Sequence, residues 1–126
     1  KALPFALSKA SYDIWVANNR ACEGTRHKNL TQSDFKYWDF RKSPMKYIAR
    51  YDVPAVIDHV LNTTNSPALD YVAYSLVGLV VIMTLASRPD YNDKIRKMAV
   101  MGSACYSTSD SSTLSTPTGL VVASIV

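Results

Sequence analysis

The stretch Ser66–Ser87, SPALDYVAYSLVGLVVIMTLAS, decides how this chain is read. Its inner part, Val72–Ala86, runs fifteen residues without a charge. Ser66 can accept hydrogen bonds from free helix N–H groups, Pro67 suits a first helical position, and Asp70 complements the positive end of a helix. These signals predict one apolar helix from Pro67 to about Ser87, stopped by Arg88-Pro89. A membrane span needs roughly 20 apolar residues, so the run reads as a buried core helix, with membrane insertion as the alternative.

Working outward, prolines and turn residues cut the rest into short pieces. Pro4–Ala21 places Leu7, Ala10, Ile14, Ala17 and Ala21 at helical spacing, and Glu23-Gly24 offers an exit. Thr31-Gln32-Ser33-Asp34 matches a capping-box pattern ahead of a predicted helix, Ser33–Lys42. Ser43-Pro44 breaks that helix, and Pro44–Tyr51 and Pro54–Leu61 follow as further helical segments. Tyr91–Met101 is predicted as a last helix, closed by Gly102. The expected fold is therefore all-α: five to six short helices around the central one, forming a helical domain over 1–102.

Beyond Gly102 the composition changes. Ser103–Thr118 is rich in serine and threonine, and Gly119–Val126 is apolar and β-prone. Residues 103–126 read as an extended C-terminal arm. An unpaired apolar strand invites association, so the arm is expected to pack on this domain or on another copy.

The chain has 126 residues and a formal net charge of +4. Arg20, Arg26, Lys28, Lys36, Arg41, Lys42, Lys46 and Arg50 face only Glu23, Asp34 and Asp39 within that segment. Aromatic residues are interleaved with them. Cations for phosphate and flat rings for exposed bases are what a nucleic-acid surface requires. The candidate binding residues are Arg26, Lys28, Lys36, Tyr37, Trp38, Arg41, Lys42, Lys46 and Arg50. The competing reading makes the rings core residues and the cations a solvated face.

No Cys-x2-Cys or His-x3-His spacing supports a metal, no glycine-rich loop cradles phosphate, and Asp90 with Asp93 fits helix capping better than acid–base work. Cys22 paired with His27 or His59 has no supporting local signature, and Cys22 and Cys105 carry no disulfide framework. Neither a cofactor nor an enzymatic activity is expected. The reading that unites the basic segment and the arm is a structural, self-assembling nucleic-acid-binding subunit of coat or nucleocapsid type. Its partners would be copies of itself and RNA or DNA. The alternative is a secreted membrane-active or receptor-binding polypeptide, toxin-like, with Val72–Ala86 inserting and the cysteines bridged.

Overall fold

The structure is a computed structural model that describes residues 2–20, 22, 26–103 and 121–125, with residues 40, 41 and 121–125 described by their backbone. Along the chain come α1 (Leu3–Lys9), β1 (Ile14–Asn18), a 3-10 segment (Phe35–Lys42), α2 (Pro44–Tyr47), a π turn (Ile48–Asp52) and α3 (Val53–Thr64). These are followed by β2 (Leu69–Tyr74), α4 (Leu76–Ser87), a second 3-10 segment (Pro89–Lys94), β3 (Ile95–Met101) and β4 (Val121–Ile125). The all-α expectation is overturned, because four strands form one sheet in the order β1-β4-β2-β3.

Three predicted helices contain the strands. The first helix ends early: Ser11 turns into the left-handed region at φ 67°, and the Tyr12 N–H reaches back to Leu7 O at 3.2 Å. That closure is a C-terminal cap, and Ile14-Trp15-Val16, β-branched and aromatic, continues as strand. The supposed start of the central helix is β2. Leu69, Tyr71 and Ala73 are buried and alternate with half-exposed Asp70 and Val72, a period of two. Ile95–Met101 is the third case. It pairs parallel with β2, Tyr71 opposite Met98 and Ala73 opposite Val100.

α4 links β2 to β3 as the crossover that a parallel pair requires. β4 runs antiparallel to both β1 and β2. β1 and β2 therefore point the same way, and their carboxyl ends share one edge of the sheet. The core joins α3 (Val53, Ile57, Val60), β2 (Leu69, Tyr71, Ala73) and α4 (Val77, Val80, Val81) with Ala49 and Tyr91. Thr84, fully buried on α4, shares its hydroxyl proton between Ala49 O (2.9 Å) and Val80 O (3.0 Å). This ties the crossover helix to the π turn.

The long apolar run is thus broken into a strand end and a 12-residue helix. Among the described residues, no helix is long and apolar enough to cross a membrane. Val121–Ile125 occupies the slot between β1 and β2. Residues 104–120, including Cys105 and most of the predicted arm, lie outside the described residues.

Candidate functional site: a strained serine between strand and helix

Ser75 joins β2 to α4 with φ 57° and ψ −130°. A side-chain-bearing residue avoids positive φ, and holding one there costs about 1–3 kcal/mol unless its surroundings over-determine it. Here they do. Both flanking elements are anchored in the core, and the Ser75 N–H donates to Met101 O at the end of β3 (2.8 Å). The chain therefore turns sharply at one residue and presents the Ser75 hydroxyl at the carboxyl end of the sheet. No described side chain hydrogen-bonds that hydroxyl.

A strand, a strained serine and a helix in immediate succession is the geometry of a nucleophile elbow. The turn is usually encoded by glycines two residues before and two after the serine. In this chain those positions hold Ala73 and Val77, both fully buried. The nearest glycine falls one position later, at Gly78. A Cβ placed on Gly78 would collide with Val100 Cγ1 and stand 2.7 Å from Ser103 Cβ and Oγ. Gly78 therefore permits the close approach of α4 to the end of β3. With the glycine displaced, Ala-Tyr-Ser-Leu-Val lacks the G-x-S-x-G signature that would mark Ser75 in the sequence.

The first N–H groups of a helix lack intrahelical partners and carry partial positive charge. At α4 these begin with Leu76, the residue after Ser75, which is the donor position that elbows offer to a developing oxyanion. Gly78 N–H is already engaged with Ser75 O at 3.1 Å.

The strand register locates other polar groups relative to Ser75. Trp15 and Tyr71 both face Ser124, and Val16 and Val72 both face Ala123, across the intervening β4. Continuing this register puts Asn19, which follows β1, level with Ser75, which follows β2. Asn19 is only 3% exposed, and among the described residues neither its amide nitrogen nor its oxygen has a hydrogen-bond partner. An unpaired buried polar group costs about 1–3 kcal/mol. The Tyr71 hydroxyl is likewise buried without a partner among the described residues, and burial pushes its pKa up.

Neither histidine meets the serine. His59 lies edge-on to Trp15, ring centroids 5.8 Å apart. Trp15 is level with Tyr71, four residues before Ser75, or about 13 Å along a strand. His27 accepts from the Asn29 and Leu30 N–H groups through Nδ1 at 3.1 and 2.9 Å. Both histidines precede Ser75 in the chain. Among the described residues, no group of three metal-ligating side chains forms.

The sequence-derived basic set does not form one surface at Ser75. Arg26 and Lys28 are exposed in a loop, and Lys36 is exposed on the first 3-10 segment. Arg41 continues that segment. Tyr37 and Trp38 pack edge to face at 4.7 Å, and Trp38 Nε1 donates to Gln32 O at 2.8 Å. Asp34 closes the start of this segment, accepting from Thr31 N (2.7 Å) and Thr31 Oγ1 (2.8 Å), and the backbone bond first of all lowers its pKa. Among the described side chains of this set, Lys42, Lys46 and Arg50 gather around one cavity with Tyr47 and Tyr51.

Comparison with known proteins points to lipases and not to a coat subunit. The chain is 36% identical over 106 residues to "Lipase 1" of Drosophila melanogaster, covering 83% of this chain and 24% of that protein. It is 32% identical over 102 residues to human "Lipase member N", covering 80% of this chain and 25% of that protein. Human "Lysosomal acid lipase/cholesteryl ester hydrolase" is 30% identical over 102 residues, with the same coverage. The chain spans about a quarter of the length of these curated relatives. No family model and no solved structure matches it. These lipase relatives overturn three expectations: the self-assembling nucleic-acid-binding subunit, its toxin-like alternative, and the absence of enzymatic character. The basic–aromatic density that suggested nucleic acid was a compositional signal, and composition does not report a strained backbone.

Proposed function

We propose that this chain is the nucleophile-bearing segment of a serine hydrolase of the lipase kind, acting on carboxylic esters of lipids. The observation that carries the reading is the positive φ of Ser75 between β2 and α4, in a chain whose relatives are lipases. In this mechanism Ser75 Oγ attacks the ester carbonyl carbon and its proton passes to a general base. The carbonyl oxygen becomes an oxyanion that the Leu76 N–H stabilises at the start of α4, aided by the helix dipole. Collapse expels the alcohol and leaves an acyl group on Ser75, which water then removes.

The base is the part that the described residues do not supply, since His59 packs on Trp15 and His27 is engaged by a loop backbone. Elbow hydrolases place that histidine after the serine in the chain. The relatives are roughly four times as long, which leaves room for it. The exposed Tyr74 ring, next to Ser75 and 66% exposed, offers an apolar surface where an acyl chain could lie.

The test is covalent labelling of the 126-residue chain with an alkyl fluorophosphonate, read by peptide mass spectrometry. The expected result is slow, single-site labelling at Ser75 that Ser75→Ala abolishes, with little ester turnover until a base is restored. Labelling at other residues, or labelling that Ser75→Ala leaves unchanged, would reject the assignment.

A further inference from the structure

Away from the elbow, Arg20 is fixed by Asp52. Its backbone N–H donates to Oδ2 (2.8 Å), and its Nε and Nη2 donate to Oδ1 at 2.8 and 2.6 Å. The guanidinium so held stands 5.6 Å from the ring centroids of both Tyr47 and Tyr51. Arg50 approaches Tyr51 at the same distance. The two rings are 6.2 Å apart and tilted by 30°. Cations and rings thus make one preorganised wall.

Against this wall lies a cavity of about 220 Å³ lined by Lys42, Ser43, Lys46, Tyr47, Arg50 and Tyr51. Its nearby carboxylates are already engaged, Asp39 by Lys42 at 3.2 Å and Asp52 by Arg20. Among the described residues, Lys46 and Arg50 have no carboxylate partner. They stand four residues apart in a continuous helical run, a spacing at which like charges repel. A cavity lined by two unneutralised cations, an available hydroxyl and two rings is complementary to one small anion. The rings cover one side and raise the strength of the charge interaction, and the guanidinium fork matches paired oxygens.

We propose that this cavity binds a single anionic oxygen group, carboxylate or phosphate, held by Lys46 and Arg50 with Ser43 and Lys42 at its rim. Its volume is below the range of about 300–1,000 Å³ typical of sites for drug-sized ligands, so it suits a headgroup and not an extended polymer. The site is independent of Ser75 chemistry, although ester hydrolysis releases a carboxylate of the same kind.

The full 126-residue chain would be titrated with inorganic phosphate, with octanoate below its micellar concentration, and with phosphatidylcholine vesicles with and without phosphatidic acid. Saturable binding of phosphate or octanoate identifies a free-anion site. Binding only to vesicles containing phosphatidic acid identifies a bilayer headgroup. In either case Lys46→Gln with Arg50→Gln should weaken binding about tenfold or more, equivalent to about 1.4 kcal/mol. Arg50→Lys, which keeps the charge and loses the fork, should weaken it about threefold without altering the fold. Ser75→Ala should leave binding unchanged, so failure of the hydrolase assignment and failure of this site are read separately. No saturable binding to any of the three probes, or affinity that survives loss of both cations, would overturn the proposal.

Discussion

Phe35–Asp52 and Val53–Ser87 are adjacent in the chain and were built by different physics. The first is a 3-10 segment, one helical turn and a π turn, and its side chains are largely exposed; Phe35 is 82% exposed. Local contacts order its first half, Tyr37 on Trp38 and Lys42 on Asp39, and its π turn is tied back to distant residues, by Arg20 on Asp52 and Thr84 on Ala49. The second region is two helices and a strand that supply nine of the eleven core residues. Its order comes from burial and from pairing with β3 and β4, both distant in sequence. The exposed region looked functional because its charges and rings are visible in composition. The buried region looked merely structural, yet its anchored strand and helix hold Ser75 at positive φ in a one-residue turn between them. Backbone strain of this kind has to be carried by elements that cannot relax.

The largest test of this contrast compares Ile57→Ala with Phe35→Ala. Removing a fully buried side chain from α3 should cost about 2–5 kcal/mol, whereas truncating exposed Phe35 should stay within about 0.5 kcal/mol, both read by denaturant unfolding. Comparable losses at the two positions would show that the regions are not energetically distinct.

Gly78→Ala is next. Its new methyl meets Val100 and Ser103, so an overpacking loss of about 1–3 kcal/mol is expected. Because the collision lies three residues from Ser75, fluorophosphonate labelling should fall with it. A neutral Gly78→Ala would mean that α4 and the end of β3 are not in close contact.

Ser75→Gly sharpens the comparison from the other side. Glycine accepts the positive φ, so this variant should be more stable by about 1 kcal/mol while losing all labelling. A destabilised variant would show that the Ser75 backbone stores no strain.

The smallest expected effect concerns the contact between α3 and the second 3-10 segment. Asp58 accepts from the Tyr91 hydroxyl and from Lys94 Nζ, each at 2.6 Å. Burial pushes the Asp58 carboxyl up, but those two hydrogen bonds and the charges of Lys94 and Arg88 outweigh it and hold it below the ordinary carboxylate value. The same hydrogen bond, first of all, raises the Lys94 pKa. For a carboxylate lowered by folding, the stabilisation is present above its unfolded value, about 3.9, and is lost as pH falls through the lower folded value. The pair is well exposed, so the effect should be less than about 1 kcal/mol. Unfolding curves between pH 5 and pH 2 should show that loss, and Asp58→Asn should flatten it.

Some of this protein could be derived without coordinates. The signals at Pro44 and Pro54 stand at helical starts, because proline acts through its own ring and the residue before it. The apolar character of Leu76–Ala86 marks a core helix, because burial on all sides needs apolarity on all sides. The Ser43-Pro44 break is local in the same sense. What local patterns could not distinguish was Leu69–Tyr74 as strand from Leu69–Tyr74 as a first helical turn. Its Ser-Pro start and Asp70 satisfy helix rules, and the partner that makes it a strand, Ile95–Met101, lies beyond an entire helix. Ser75 was hidden for the same reason. With Ala73 and Val77 where glycines usually mark the turn, only the packed arrangement of β2, α4 and β3 forces its backbone into the strained geometry that makes it a nucleophile candidate.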